Sequence, residues 1–137
     1  MSDTTIATAL KLISEIKDKK QKVEALKQNG IEPVKAILNG MFNPNIKFLL
    51  PEGAPPYTPS AHGNPSALIK STRQFFHFVE GGSNVSQFQR EKLFLQLLES
   101  IDAADAELIL AMKDKKSPYP GLTKDVVIAA FPEMFPT

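Results

Sequence analysis

Apolar positions recur at helical spacing in two blocks that flank a proline-rich interval. Over residues 4–29, Ile6, Leu10, Ile13, Ile16, Val23 and Leu26 fall on successive helical turns, interrupted by Lys17, Lys19, Lys20 and Lys22. The pattern predicts one long helix, or two helices meeting near Asp18. Asn29 and Gly30 supply the left-handed residues that close a helix, and Pro33 has its fixed φ where a first helical turn needs it. A short helix over residues 33–41 follows.

The pattern breaks between residues 43 and 65. Pro44, Pro51, Pro55, Pro56, Pro59 and Pro65 each remove a backbone donor and bias the preceding residue away from helix. No regular helix crosses such a segment. It nevertheless carries Ile46, Phe48, Leu49, Leu50 and Tyr57, which a solvated linker does not need, so the sequence predicts an ordered, irregular strap.

Helical periodicity returns with Leu68, Ile69, Thr72, Phe75, Phe76 and Val79 on one broad face, ending at Gly81 and Gly82. Ser86 followed by Gln89 is a capping-box pattern that opens a helix through Phe88, Leu93, Phe94, Leu97, Leu98 and Ile101. Leucines and phenylalanines cover most of its circumference, which makes it the expected central core element. Asp102 is placed to cap a helix through Leu108, Ile109, Leu110 and Met112, with Lys113, Lys115 and Lys116 at its negative end. Thr123 is placed to cap a last short helix through Val127 and Phe131. The expected fold is all-α, a compact bundle of six to seven short helices in a single domain over 1–137. Within it, residues 1–42 form N-terminal helices, 43–65 the strap and 66–137 a C-terminal helical core.

Composition narrows the function classes. At 137 residues with 42% hydrophobic and 23% charged content, the chain is long enough to bury a core without crosslinks. The absence of cysteine removes disulfide scaffolds, thiolate nucleophiles and every zinc-finger spacing. Sixteen basic against fifteen acidic residues leave a net charge of +1, far from the excess that marks a nucleic-acid binder. By segment the balance is +2 for residues 1–30, zero for 31–65, +1 for 66–101 and −2 for 102–137. The longest apolar run, residues 126–131, is far short of the roughly 20 residues a membrane span requires. The N-terminus lacks the layout of a secretory signal, so a cytosolic location without membrane association is expected.

Candidate chemistry is sparse. His62 lies in the proline-rich interval and His77 in an aromatic run, and neither has further ligands at metal-site spacing, so no metal or cofactor is expected. Asp102, Asp105 and Glu107 sit where helix N-terminal amides favour negative charge, which makes capping the simpler account than acid–base catalysis. Gly81 and Gly82 lack the Lys-Ser/Thr ending of a phosphate-binding loop and read as an interhelical turn. Arg73, Phe75, Phe76, Phe78 and Val79 imitate an RNA-stacking strand, but the motif's glycine is missing and core packing is the reading taken.

Two surfaces remain. In the strap, Phe48, Leu50, Pro51, Pro55, Pro56 and Tyr57 set apolar groups on a backbone whose freedom is already reduced, which lowers the entropy lost on docking. The strap either docks on its own core or presents an edge to another protein or another copy. The alternative surface is basic: Lys19, Lys20 and Lys22 with Lys113, Lys115 and Lys116 could contact phosphate if the two chain ends are adjacent.

Several stretches, NIKFLLPEGAPPY at 45–57, FVEGG at 78–82, LLES at 97–100, DAEL at 105–108, KDKK at 113–116, GLT at 121–123 and AFP at 130–132, carry a resemblance over nearly the whole chain. The chain resembles a family of small proteins of unknown function from large contractile-tailed bacteriophages, many infecting marine bacteria. Ser117 and Pro120 depart from that family's pattern, which has an apolar and a basic residue there. The resemblance implies a phage context, in the host cytoplasm or the virion, and brings no catalytic residues. The expected function is therefore non-enzymatic, by protein contact, as a virion or assembly component or as a factor binding a host or phage complex. The alternative is a nucleic-acid accessory protein, and an enzyme built from scattered Asp, Glu, Lys and Tyr is a third class.

Overall fold

A computed structural model describes residues 5–59 and 67–134 of the 137; His62 and Pro65 lie outside the described residues. Helix α1 (Ile6–Ser14) is opened by Thr5, whose hydroxyl accepts from the Thr8 amide at 3.0 Å. It buries Ile6, Ala7, Leu10 and Ile13. The chain then leaves the helix, and the Asp18 carboxylate accepts from the Gln21 amide to start α2 (Lys19–Gln28). Of the two arrangements the pattern allowed, it is thus two helices meeting at Asp18. Helix α3 (Glu32–Phe42) follows, with Pro33 in its first turn.

Beyond the strap, the expected helix over residues 68–79 is not a single α-helix. Only α4 (Ala67–Ser71) is α-helical, and it tightens into a 3₁₀ segment, Thr72–His77. The cause is the pairing that follows. The Leu49 amide donates to the Phe78 carbonyl and the Glu80 amide to the Lys47 carbonyl, both at 2.8 Å, forming an antiparallel bridge between Phe48 and Val79. Reaching that bridge draws the chain out of the α-helix, and the tighter winding buries Phe78 fully while leaving Phe76 half exposed. Gly81, at φ +82°, makes the turn behind it.

Helix α5 (Gln87–Ser100) begins with half of the expected capping box: the Ser86 hydroxyl accepts from the Gln89 amide at 3.1 Å. It is not the central element. Phe88 is 79% exposed, whereas α6 (Ala103–Lys113) buries Asp105, Ala106, Leu108, Ile109, Met112 and Lys113. The apolar count along α5 misled because α5 meets the body along one side, while α6 lies against α1, α3 and α5 together. Asp102 caps α6 through the Ala104 amide at 2.9 Å. Helix α7 (Lys124–Ala130), opened by Thr123, packs on α2, and a 3₁₀ turn, Pro132–Met134, follows. The described residues form an all-α bundle of seven α-helices and two 3₁₀ segments, with no strand beyond the single bridge.

Candidate partner-binding strap

The strap leaves α3 through Asn43, whose carboxamide oxygen accepts from the Asn45 amide at 2.9 Å and turns the chain across the bundle. From there the body holds its backbone at successive points. After the bridge to residues 78–80, the Gln87 amide group donates to the Leu49 carbonyl at 2.8 Å. The Lys113 ammonium donates to the Pro51 carbonyl at 2.8 Å and pairs with Asp114 at 2.6 Å, with only 2% of its side chain exposed. Asp114 in turn accepts from the Gly53 amide, and Glu99 accepts from the Thr58 amide at 3.0 Å. Prolines cannot donate, so the strap is tied by its carbonyls and by the few amides between the prolines.

These ties sort the six proposed contact residues into two sets. Phe48, Leu50 and Tyr57 turn inward, half buried against the core. Pro51 and Pro56 stay exposed, and Pro55 lies half buried between them. With Leu50, Phe94 and Glu91 these prolines line a cleft of about 300 Å³ between strap and α5. Burial, then the nearby Glu107 carboxylate, raise the Tyr57 phenol above its ordinary pKa. One side of the strap thus docks on its own core, and the other is exposed.

Sequence reasoning missed the residues that hold the strap. Arg90 is buried, yet its guanidinium meets only neutral acceptors: the His77 carbonyl at 2.9 Å, the Val85 carbonyl at 3.3 Å and the Gln87 side chain. It fixes the turn that carries Val79 to the strap. Gln87, Glu99 and Asp114 were also missed, because helix-surface polar residues carry no local mark of a distant backbone partner.

The lysine surface is only partly available. The Lys22 ammonium donates to the Gly121 carbonyl at 3.0 Å, which confirms that the start of α2 and the turn before α7 are adjacent. Lys115, at φ +59°, reaches back to the Gly40 and Asn43 carbonyls at the end of α3 and sits 5.6 Å from the Phe48 ring centre. Burial lowers its pKa. With Lys113 on the strap, three of the six lysines have their ammonium groups on carbonyls, and Lys19, Lys20, Lys115 and Lys116 are exposed.

Among the carboxylates, Asp102 caps its own helix, but Asp105 acts elsewhere. Fully enclosed, it accepts from the Ala7 amide in the first turn of α1 at 2.9 Å, while its other oxygen has no hydrogen-bond partner among the described residues. Burial pushes its pKa up to about 6, opposed by the Ala7 bond and aided by the Asp102 charge. The Tyr119 hydroxyl donates to the Ala7 carbonyl at 3.1 Å, and its pKa is raised by burial, then by Asp105 and Glu107. His77 shares a hydrogen bond with the Ser83 hydroxyl at 3.1 Å, and no group of three metal-ligating side chains occurs among the described residues. Among those residues no helix is long and apolar enough to cross a membrane.

Fold and site define a small helical protein with an irregular segment fastened to its outside. The chain belongs to DUF6433, a family of unknown function, whose model matches residues 9–117. No curated protein and no solved structure matches it.

Proposed function

We propose that the chain is a non-enzymatic binding protein that works by contact with another protein through the free side of the strap. One observation carries this reading: between residues 47 and 58 the strap backbone is tied to the body at successive points while Pro51 and Pro56 stay exposed beside the cleft they help to line. A segment fixed in this way loses little conformational entropy on binding, and a cleft of about 300 Å³ accepts one anchoring side chain of a partner. The resemblance of residues 45–57 and 78–82 to small proteins of contractile-tailed phages supports a phage setting. The role is that of a virion or assembly component, or of a factor that binds a host or phage complex in the host cytoplasm.

The test is a photo-cross-linking amino acid at position 56, with the wild-type strap otherwise intact, in lysate of infected cells. A discrete protein adduct that is lost on adding Pro51→Asp supports the reading. An adduct unaffected by Pro51→Asp, or none, overturns it. Mass spectrometry of purified particles then separates virion from cytoplasmic roles. The nucleic-acid alternative has weaker support, since Lys22, Lys113 and Lys115 are bound to carbonyls; retention of DNA or RNA on filters that falls steeply with salt would favour it.

A further inference from the structure

The cleft between strap and α5 joins apolar walls to an excess of negative charge. Leu50, Pro51, Pro55, Pro56 and Phe94 supply the walls, and three charged residues share the lining: Glu52 on the strap, Glu91 on α5 and Lys113 on α6. The lysine does not offset the two glutamates toward an incoming group, because its ammonium is engaged by the Pro51 carbonyl and Asp114 and its side chain is 2% exposed. Both glutamates are exposed, and neither takes part in the ion pairs among the described residues.

Glu91 is also held in place. The Gln87 side-chain amide donates to the Leu49 carbonyl of the strap and to the Glu91 carboxylate, each at 2.8 Å, so one residue fixes both the strap backbone and the acid facing it from α5. The negative charge continues along the seam, where Glu99 accepts from the Thr58 amide and Glu107 lies close enough to act on the Tyr57 phenol. Arg90, the buried cation of α5, is held by the His77 and Val85 carbonyls and does not line the cleft. The excess is local, in a chain whose net charge is +1.

We propose that the cleft binds an arginine side chain from a basic segment of a protein partner, its stem against the prolines and Phe94 and its guanidinium between Glu52 and Glu91. This rests on the contact reading above and names the chemistry of the anchor. The choice follows from what each kind of side chain leaves unpaired. A leucine or phenylalanine fills the walls but strips water from two carboxylates and gives nothing back. An acidic side chain adds a third like charge. A lysine brings a compact, strongly hydrated head, whereas the guanidinium is more weakly hydrated and carries five donors in a planar fork that reaches two carboxylates at once. A volume of about 300 Å³ is the lower end of ligand pockets, room for one side chain rather than for a folded element.

Amide chemical shifts of the full chain test this, with the peptide Gly-Gly-Arg-Gly-Gly, blocked at both ends, and its Leu and Glu counterparts titrated to about 10 mM, a range that covers weak single-anchor binding. The arginine peptide is expected to move the amides of Gly53, Ala54 and Glu91. Glu52→Gln and Glu91→Gln are each expected to weaken it by about 3- to 5-fold, the upper range for an exposed ion pair, and to leave the leucine peptide no weaker. Both positions are exposed, so the variants keep the fold, and unmoved α6 amides check this. A leucine peptide that moves the same amides as readily, an arginine peptide indifferent to both variants, or cleft amides that no peptide moves overturns the proposal. The contact reading is judged separately, by the adduct at position 56. An adduct undiminished in the Glu52→Gln, Glu91→Gln double variant keeps that reading and overturns the arginine anchor, whereas a wild-type cleft that moves with the arginine peptide and yields no adduct overturns that reading and keeps the arginine site.

Discussion

Asp105 is the residue whose chemistry departs most from its sequence context. Its carboxylate is enclosed, with one oxygen on the Ala7 amide and the other unpartnered among the described residues. A carboxylic acid with a folded pKa near 6, above its unfolded value of 3.8, binds more protons folded than unfolded between those values. Stability therefore falls as pH rises through that window and stays at the lower level above it. Asp105→Asn keeps an acceptor for Ala7 and removes the charge. Urea melts at pH 4 and pH 7.5 are expected to show the wild type losing stability between them and Asp105→Asn losing less. Asp105→Ala, which strands the Ala7 amide, is expected to cost about 1–3 kcal/mol at both pH values. Caps such as Ser86, Asp102 and Thr123 were legible because donor and acceptor lie within three residues. Asp105 read as one more of them. Its true partner lies 98 residues away, a distance that no local rule spans.

At the scale of elements, the helices were legible where an unbroken run of apolar residues at helical spacing marks them, as in α1, α3 and α7. The segment after Ala67 was not, because its winding is decided by the bridge between Phe48 and Val79. The rank of α5 and α6 was inverted for a related reason: apolar content measures what a helix can bury, and neighbours decide what it does bury. Over residues 43–59 the strap was legible as ordered and irregular, and its two-sidedness follows from ties that sequence does not mark. Lys113 is the most enclosed of these. Lys113→Met keeps the buried stem and removes a charge-assisted bond of about 1.5–3 kcal/mol. Hydrogen exchange at the Gly53 amide is expected to accelerate, with α6 core amides such as Ile109 little changed. Equal acceleration in both places would mean that Lys113 supports the whole bundle rather than the strap.

Across the described residues, the first and last helices are built into one body. Gly121 lies so close to α1 that a Cβ there would fall 1.9 Å from the Ser14 carbonyl oxygen, and its own carbonyl holds Lys22. Gly121→Ala must push backbone from backbone, and a loss of more than about 2 kcal/mol is expected in urea melts. The family match ends at residue 117, before this turn and before α7. Yet Leu122, Val126, Val127 and Phe131 are all buried, and α7 lies along α2, where Leu26 is fully enclosed. Burial of each such side chain contributes about 1.5–3 kcal/mol, so losing four removes about 6–12 kcal/mol, comparable with the entire stability of about 5–15 kcal/mol of an ordinary domain. A fragment of residues 1–117 is therefore expected to lack a cooperative melt and dispersed amide resonances, although it keeps six of the seven helices. A well-dispersed spectrum from that fragment would show that α1 to α6 close a core by themselves and that α7 is an addition to it.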